Sequence, residues 1–271
     1  MKNNQYHSIC NENSRILRNG FYTKNGKDIL LPARSIPQLW SEDNTKRLGS
    51  DKEHPFSNTK IYCSDEGTVD FVLRMKAEGV DMSKVGVLHF VNAVPFGMQH
   101  SYLMDNQEGD LLRCSDLSRV FNGELHTVFY GDDKDYFHSL NLGFFVTSDT
   151  TIFRDSEYKL LDEPITVHCV STVPFNHQDF KDKNLGIRMF SDNLLKDRMF
   201  YALCLFYEFG CTHIGLGALG CGEGGVHPTW SAFRWRELLT FMKDHFAEIV
   251  MPVPECKNSF NYKIFDLEFN K

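Results

Sequence analysis

An α/β fold with a partly parallel sheet between helices is predicted by three features of this sequence. The runs 85–93, 165–173 and 212–218 are nearly continuous in apolar residues, the mark of strands covered on both faces. Helical patterns at Asp192–Phe209 and Thr229–Phe246 separate the later runs from one another. The resulting strand–helix–strand–helix–strand order implies right-handed crossovers back onto one sheet.

Taken in order, residues 1–60 are rich in Asn, Ser, Lys and Asp. They predict a helix near Glu12–Gly20 and then an irregular wrapping segment. TKIYC is a short strand. Thr68 is placed to cap a helix running to about Glu78, with Val69, Val72, Leu73 and Met75 as its apolar side and Gly79 as its stop. The strand-like runs that follow are VGVLHFVNA (85–93), GFFVTSDTTIF (143–153), ITVHCVSTVPF (165–175), THIGLGA (212–218) and EIVMPVP (248–254). Pro228 suits a first helical position, with His227 as the cap. No internal repeat, low-complexity tract or linker divides the chain. It reads as a single domain, 61–271, preceded by the wrapping segment 1–60.

Composition narrows the function. The 271 residues are 42% hydrophobic, enough for one large core. The net charge of −7 and the lack of clustered Lys and Arg argue against reading a nucleic-acid backbone. No membrane span and no secretory signal are expected. The eight cysteines form no C-x-x-C pair, and several lie in apolar runs such as YALCLFYE. They are expected as small buried hydrophobes in a reducing, cytoplasmic setting. No His/Asp/Glu cluster has metal-ligand spacing, so neither a metal nor another cofactor is expected. His89 and His168 fall inside buried strands and are expected as core histidines.

One stretch carries the functional argument. LGALGCGEGG, Leu216–Gly225, holds five glycines between a strand and a helix. In open α/β sheets ligands bind beyond the carboxyl ends of the strands, and bare N–H groups there favour anions such as phosphate. A crossover turn that binds nothing has the same composition. The loop is neither a phosphate-binding Walker loop nor a dinucleotide fingerprint.

LGALGCGEGGVHP resembles the L-G-A-x-G-C-G-x-F-x-N-x-P segment of the microbial-type poly(ADP-ribose) glycohydrolase family. TKIYCSDEGTVDFVLRMKAEGV, VGVLHFVNA, TTIFRDSEYKLLDEPITVHCVSTVP and RMFYALCLFYEFGCTHIGLGALGCG resemble further family segments, in order over about residues 60–252. The resemblance implies a macrodomain-like three-layer α/β/α fold with a mixed central sheet. It also implies ligand contacts at Phe90, Asn92, Gly97, Gln107, Thr172, Gly217, Ala218, Gly220, Cys221, Gly222 and Glu223, with Cys221 packing beside the diphosphate rather than acting as a nucleophile. Phe96, His100 and Tyr102 replace small or flexible family positions.

The chain departs from the family where the chemistry is expected. Counting without gaps from His89, which stands at the family's strand Asn, puts Gln107 and Glu108 on the first two residues of its Gln-Glu-Glu. The second Glu, the one tied to catalysis, is Gly109 here, and two of the three glycines of the family's first loop are replaced in Gly97-Met98-Gln99. Cleaving a ribose glycosidic bond passes through an oxocarbenium-like state and needs a carboxyl group within reach of the leaving oxygen or of water. Glu108 and Asp110 are the candidates, with Asp105 nearby. The resemblance implies an ADP-ribosylhydrolase that removes ADP-ribose from protein or splits its polymers; the loss of two glycines from the first loop favours mono-ADP-ribose over polymer, and a monomer is expected. The alternatives are a reader that binds ADP-ribose without cleaving it, and a protein acting on a related nucleotide metabolite.

Overall fold

The computed structural model describes residues 2–33, 35–41, 55–91, 102–121, 125, 145–174, 185–222 and 225–271, with the backbone alone over 185–192. A seven-stranded sheet runs through the middle of the molecule. In chain order its strands are β3 (Gln38–Trp40), β4 (Lys60–Ser64), β5 (Val85–Phe90), β6 (Phe145–Arg154), β7 (Leu160–Thr172), β8 (His213–Gly215) and β9 (Glu248–Pro252). Across the sheet they lie β3-β6-β7-β5-β8-β9-β4. β3, β6 and β7 pair antiparallel, and the pairs from β7 to β4 are parallel. A separate hairpin, β1 (Phe21–Lys24) and β2 (Lys27–Leu30), precedes them.

Alternation along each strand feeds two cores. On one face, Leu88, Val170, Ile249 and Met251 pack with α4 (Leu185–Glu208), α5 (Pro228–Met242) and α6 (Ser259–Phe269). On the other, Val85, Val87, Cys169 and Val250 pack with α2 (Thr68–Ala77) and α3 (Gln107–Cys114). This is the expected three-layer α/β/α arrangement with a mixed sheet. The three nearly continuous apolar runs become β5, β7 and β8, the middle of the sheet. Helix packing there is close: a Cβ on Gly86 would lie 2.6 Å from the Phe206 ring, and one on Gly215 would lie 2.9 Å from Phe71.

Several local expectations are corrected. The first helix, α1, spans Lys2–Asn19 rather than beginning near Glu12. Its buried stripe is Tyr6, Ile9, Asn13, Ile16 and Leu17, thin enough to be hidden by polar neighbours. Residues 38–40, inside the expected irregular segment, form an edge strand of the main sheet. Gly67, not Thr68, caps α2, while Gly79 at φ +78° does follow its end. The α4 helix starts seven residues before Asp192, β8 keeps only three residues, and α6 was not anticipated. The start of α5 is as expected: the His227 side chain accepts from the Thr229 N–H, with Pro228 first in the helix. Among the described residues no helix is long and apolar enough to cross a membrane.

Candidate ligand cleft and its carboxylates

Beyond the carboxyl ends of the parallel strands lies a cleft of about 490 Å³, lined by Phe90, Met104–Glu108, Pro174, Ala218, Gly220 and Gly222. Its floor is the end of β5. Strand β8 pairs with β5 only as far as Val87–Gly215, because the chain then turns through Gly217 at φ +75°. The next β5 groups on that side would lack a strand partner. Gln107 supplies one: its Oε1 accepts from Phe90 N–H at 2.9 Å, and its Nε2 donates to Leu88 C=O at 2.6 Å and to Thr68 Oγ1 at 3.1 Å. Gln107 therefore lines the cleft while its amide is spent on the scaffold.

The glycine loop forms one wall. Every carbonyl from Gly217 to Gly222 accepts a hydrogen bond from the protein. The donors are Trp235 Nε1 and Leu219 N–H to Gly217, Cys221 N–H to Ala218, Ser231 Oγ to Leu219, Val226 N–H to Gly220, Asn261 Nδ2 to Cys221 and Gly225 N–H to Gly222. With the carbonyls drawn inward, the N–H groups of Ala218, Gly220 and Gly222 donate to no acceptor among the described residues. These are the loop residues that line the cleft. Gly220 sits at φ +78°, and a Cβ there would lie 2.8 Å from Val226. A Cβ on Gly222 would meet no atom of the described residues within 4 Å. Cys221 turns inward, its Sγ 3.7 Å from Leu219 O, and burial pushes its thiol up to about 12. That is a packing residue, in keeping with the sequence, and a poor nucleophile.

Opposite the loop, the N-terminus of α3 enters the cleft. Asn106 caps it, its side chain accepting from Gly109 N–H at 2.9 Å. Glu108 lines the cleft with only 1% of its surface exposed. Its Oε1 lies 3.6 Å from Nε2 of the fully buried His89. Asp110, two residues on, projects from another side of the helix and does not line the cleft. Its Oδ1 accepts from Arg113 at 2.7 Å and from Tyr158 Oη at 2.8 Å, and its Oδ2 lies 3.3 Å from Lys257 Nζ. Burial, and then the Asp110 carboxylate, push the Tyr158 hydroxyl far up, so it stays a donor. Arg113 is wholly buried, with its guanidinium 3.9 Å from the Tyr6 ring centroid and donating to the Tyr102 and Met104 carbonyls. Asp105, at the rim, pairs with Lys2 at 3.0 Å and with Lys257. Lys257, with Lys2 behind it, holds its carboxyl down at about 2.

Of the residues singled out in the sequence, Phe90, Gln107, Glu108, Ala218, Gly220 and Gly222 come together on this cleft. Thr172 is buried at the end of β7 beside Phe90, and Gly217 lies behind the loop against the Phe90 ring. Asn92, Gly97 and Glu223 fall outside the described residues. The sequence reading missed Met104, Asn106 and Pro174 as lining residues. Asn106, three before Gly109, carried an N-cap signal that identifies the turn as a helix start. His89 is not the satisfied core histidine expected. Its Nδ1 is 3.0 Å from Ser171 Oγ, but its Nε2 has no hydrogen-bond partner among the described residues.

No family model and no curated protein matches the sequence. Solved structures do match the fold. A poly(ADP-ribose) glycohydrolase from Thermomonospora curvata superposes with a TM-score of 0.84 at 23% identity, over 98% of this chain and 100% of that one. Its form bound to the inhibitor ADP-HPD gives 0.80 at 23% identity, over 97% and 98%. The poly(ADP-ribose) glycohydrolase from Deinococcus radiodurans in complex with ADP-ribose gives 0.72 at 22%, over 86% and 93%.

Proposed function

We propose that the cleft binds ADP-ribose and that the chain is a divergent member of the poly(ADP-ribose) glycohydrolase family, hydrolysing the ribose glycosidic bond of ADP-ribosylated protein. The observation that carries this reading is the polarity of the glycine loop. Its carbonyls are bonded to the protein while three N–H groups remain on the cleft side, an arrangement suited to a diphosphate. The cleft volume of about 490 Å³ is in the range of small-ligand sites. A fold shared over 98% and 86% of this chain with two poly(ADP-ribose) glycohydrolases supports the same ligand.

Glu108 is the proposed catalytic carboxyl, because it is the carboxylate buried in the cleft. Asp110, tied to Arg113, Tyr158 and Lys257, is proposed to shape the helix that presents it. Glu108 would give its proton to the leaving oxygen as the anomeric C–O bond breaks, then take one from the attacking water. The altered first loop, Gly97-Met98-Gln99, favours mono-ADP-ribosyl substrates over polymer, since it loses two of the glycines that the family pattern places there. Six buried free thiols fit a reducing, intracellular setting. Gly109, standing where the family carries its catalytic Glu, favours a second reading, a module that binds ADP-ribose without cleaving it.

Calorimetry with ADP-ribose, followed by incubation with differently linked ADP-ribosylated substrates and mass spectrometry of the products, tests the proposal. Binding with release of ADP-ribose supports the hydrolase, binding alone supports the reader, and no heat at millimolar ligand overturns both.

A further inference from the structure

The geometry points to His89 as a positioning residue for Glu108, the two forming a carboxyl–imidazole pair that does the work of the missing second glutamate. This rests on the hydrolase reading. Both side chains are buried, at 0% and 1% exposure, and Nε2 faces Oε1 at 3.6 Å. That gap is slightly longer than a hydrogen bond, and such catalytic contacts often tighten only when substrate is bound. A buried imidazole nitrogen with no hydrogen-bond partner among the described residues is costly unless it serves something.

The rest of the surroundings orients the ring. Ser171 Oγ on β7 holds Nδ1 at 3.0 Å, and the Phe121 ring meets the imidazole edge-on at 5.7 Å between centroids. If Ser171 donates to Nδ1, the imidazole proton sits on Nε2 and points at Glu108. Titratable groups near the pair include Cys169 on β7, its Sγ 3.7 Å from Ser171 Oγ, the buried Asp116, whose charge acts on that thiol, and Asp105 at the cleft rim. Burial raises the Cys169 thiol to about 11, so it stays neutral, and Asp105 is neutralised by its lysines.

The chemistry balances with one proton. The Glu108 carboxyl protonates the leaving oxygen, which departs with the C–O bonding electrons. The new carboxylate is held by Nε2–H of His89. Water then attacks the anomeric carbon and returns a proton to Glu108, and His89 ends as it began.

The test uses the full-length protein, with ADP-ribose affinity and hydrolysis measured separately on the wild type, His89→Asn and Ser171→Ala. The expected result for His89→Asn is unchanged affinity and a fall in kcat of about 10²-fold. The wild-type kcat/KM profile should show two limbs, one for losing the shared proton and one for gaining a second, and His89→Asn should keep only one. Ser171→Ala, which frees the ring without removing it, should lower kcat by a smaller factor, roughly tenfold. If His89→Asn does not fold, nitrogen NMR of the His89 imidazole in the wild type and in Glu108→Gln reads the same coupling. An imidazole titration unmoved by Glu108→Gln overturns the inference. So do wild-type kcat and both limbs in His89→Asn, or ADP-ribose binding by the wild type with no turnover. Absence of ADP-ribose binding by the wild type instead removes the functional reading beneath it.

Discussion

On the proposed reading, Glu108 and Gly222 separate chemistry from recognition at single positions. Glu108→Gln keeps the shape of the cleft and removes its buried carboxyl. Turnover should fall by about 10²–10⁴-fold, the usual range for a positioned acid or base, with ADP-ribose affinity within a few-fold by calorimetry. Gly222→Val should do the reverse. A Cβ at Gly222 meets no atom of the described residues within 4 Å, and the backbone there is not left-handed, so Tm should hold. The added side chain would project into the cleft where the proposed ligand meets the loop N–H groups, and affinity should drop by roughly tenfold or more, about 1.4 kcal/mol. Gly220 is the less informative choice, because its positive φ and the nearby Val226 make any side chain there a folding defect as well.

The third helix shows how an element is held to serve a site. Its first residue, Gln107, replaces a missing strand partner on β5, and Asn270 does the same for the edge strand β4, bonding both N–H and C=O of Cys63 at 2.9 Å. Gln107→Leu strands the part-buried Phe90 N–H and Leu88 C=O of β5. The expected cost is about 2–4 kcal/mol, measured by chemical denaturation. At the other side of the helix, Asp110 neutralises the buried Arg113. Asp110→Asn is therefore expected to lower Tm while kcat stays within a few-fold. A loss near 10²-fold, the scale of a removed acid or base, would return Asp110 to the chemistry.

At the scale of the molecule, Asp105 joins the two ends of the chain at the cleft rim, pairing Lys2 of α1 with Lys257 just before α6. Its carboxyl is held below the usual aspartate value of 3.8, at about 2. A depressed acid contributes stability that is complete above its unfolded pKa and is lost as pH falls through its folded one. The contribution should thus disappear between pH 3.8 and about 2. The side chain is 42% exposed, so screening limits the clamp to at most about 1 kcal/mol. Asp105→Asn should lower Tm slightly at pH 7 and low salt. The difference from wild type should shrink in 1 M salt and vanish near pH 2.

The sequence by itself determined what is local. Apolar runs that hide both faces of a strand identified the middle of the sheet, and a cap followed by proline identified the start of α5. Five glycines at a strand end marked the wall of the cleft. Those features are legible because burial, turns and caps leave their signature within a few neighbouring residues. The strand at 38–40 and helix α6 were not legible, since their burial depends on what they pack against rather than on a strong pattern of their own. Only the tertiary structure decided which way side chains point across the cleft. Glu108 and Asp110 are two residues apart and look equivalent as letters. The pitch of a helix sends one into the cleft and the other against Arg113, while strand β5 brings His89 to the carboxylate from nineteen positions away.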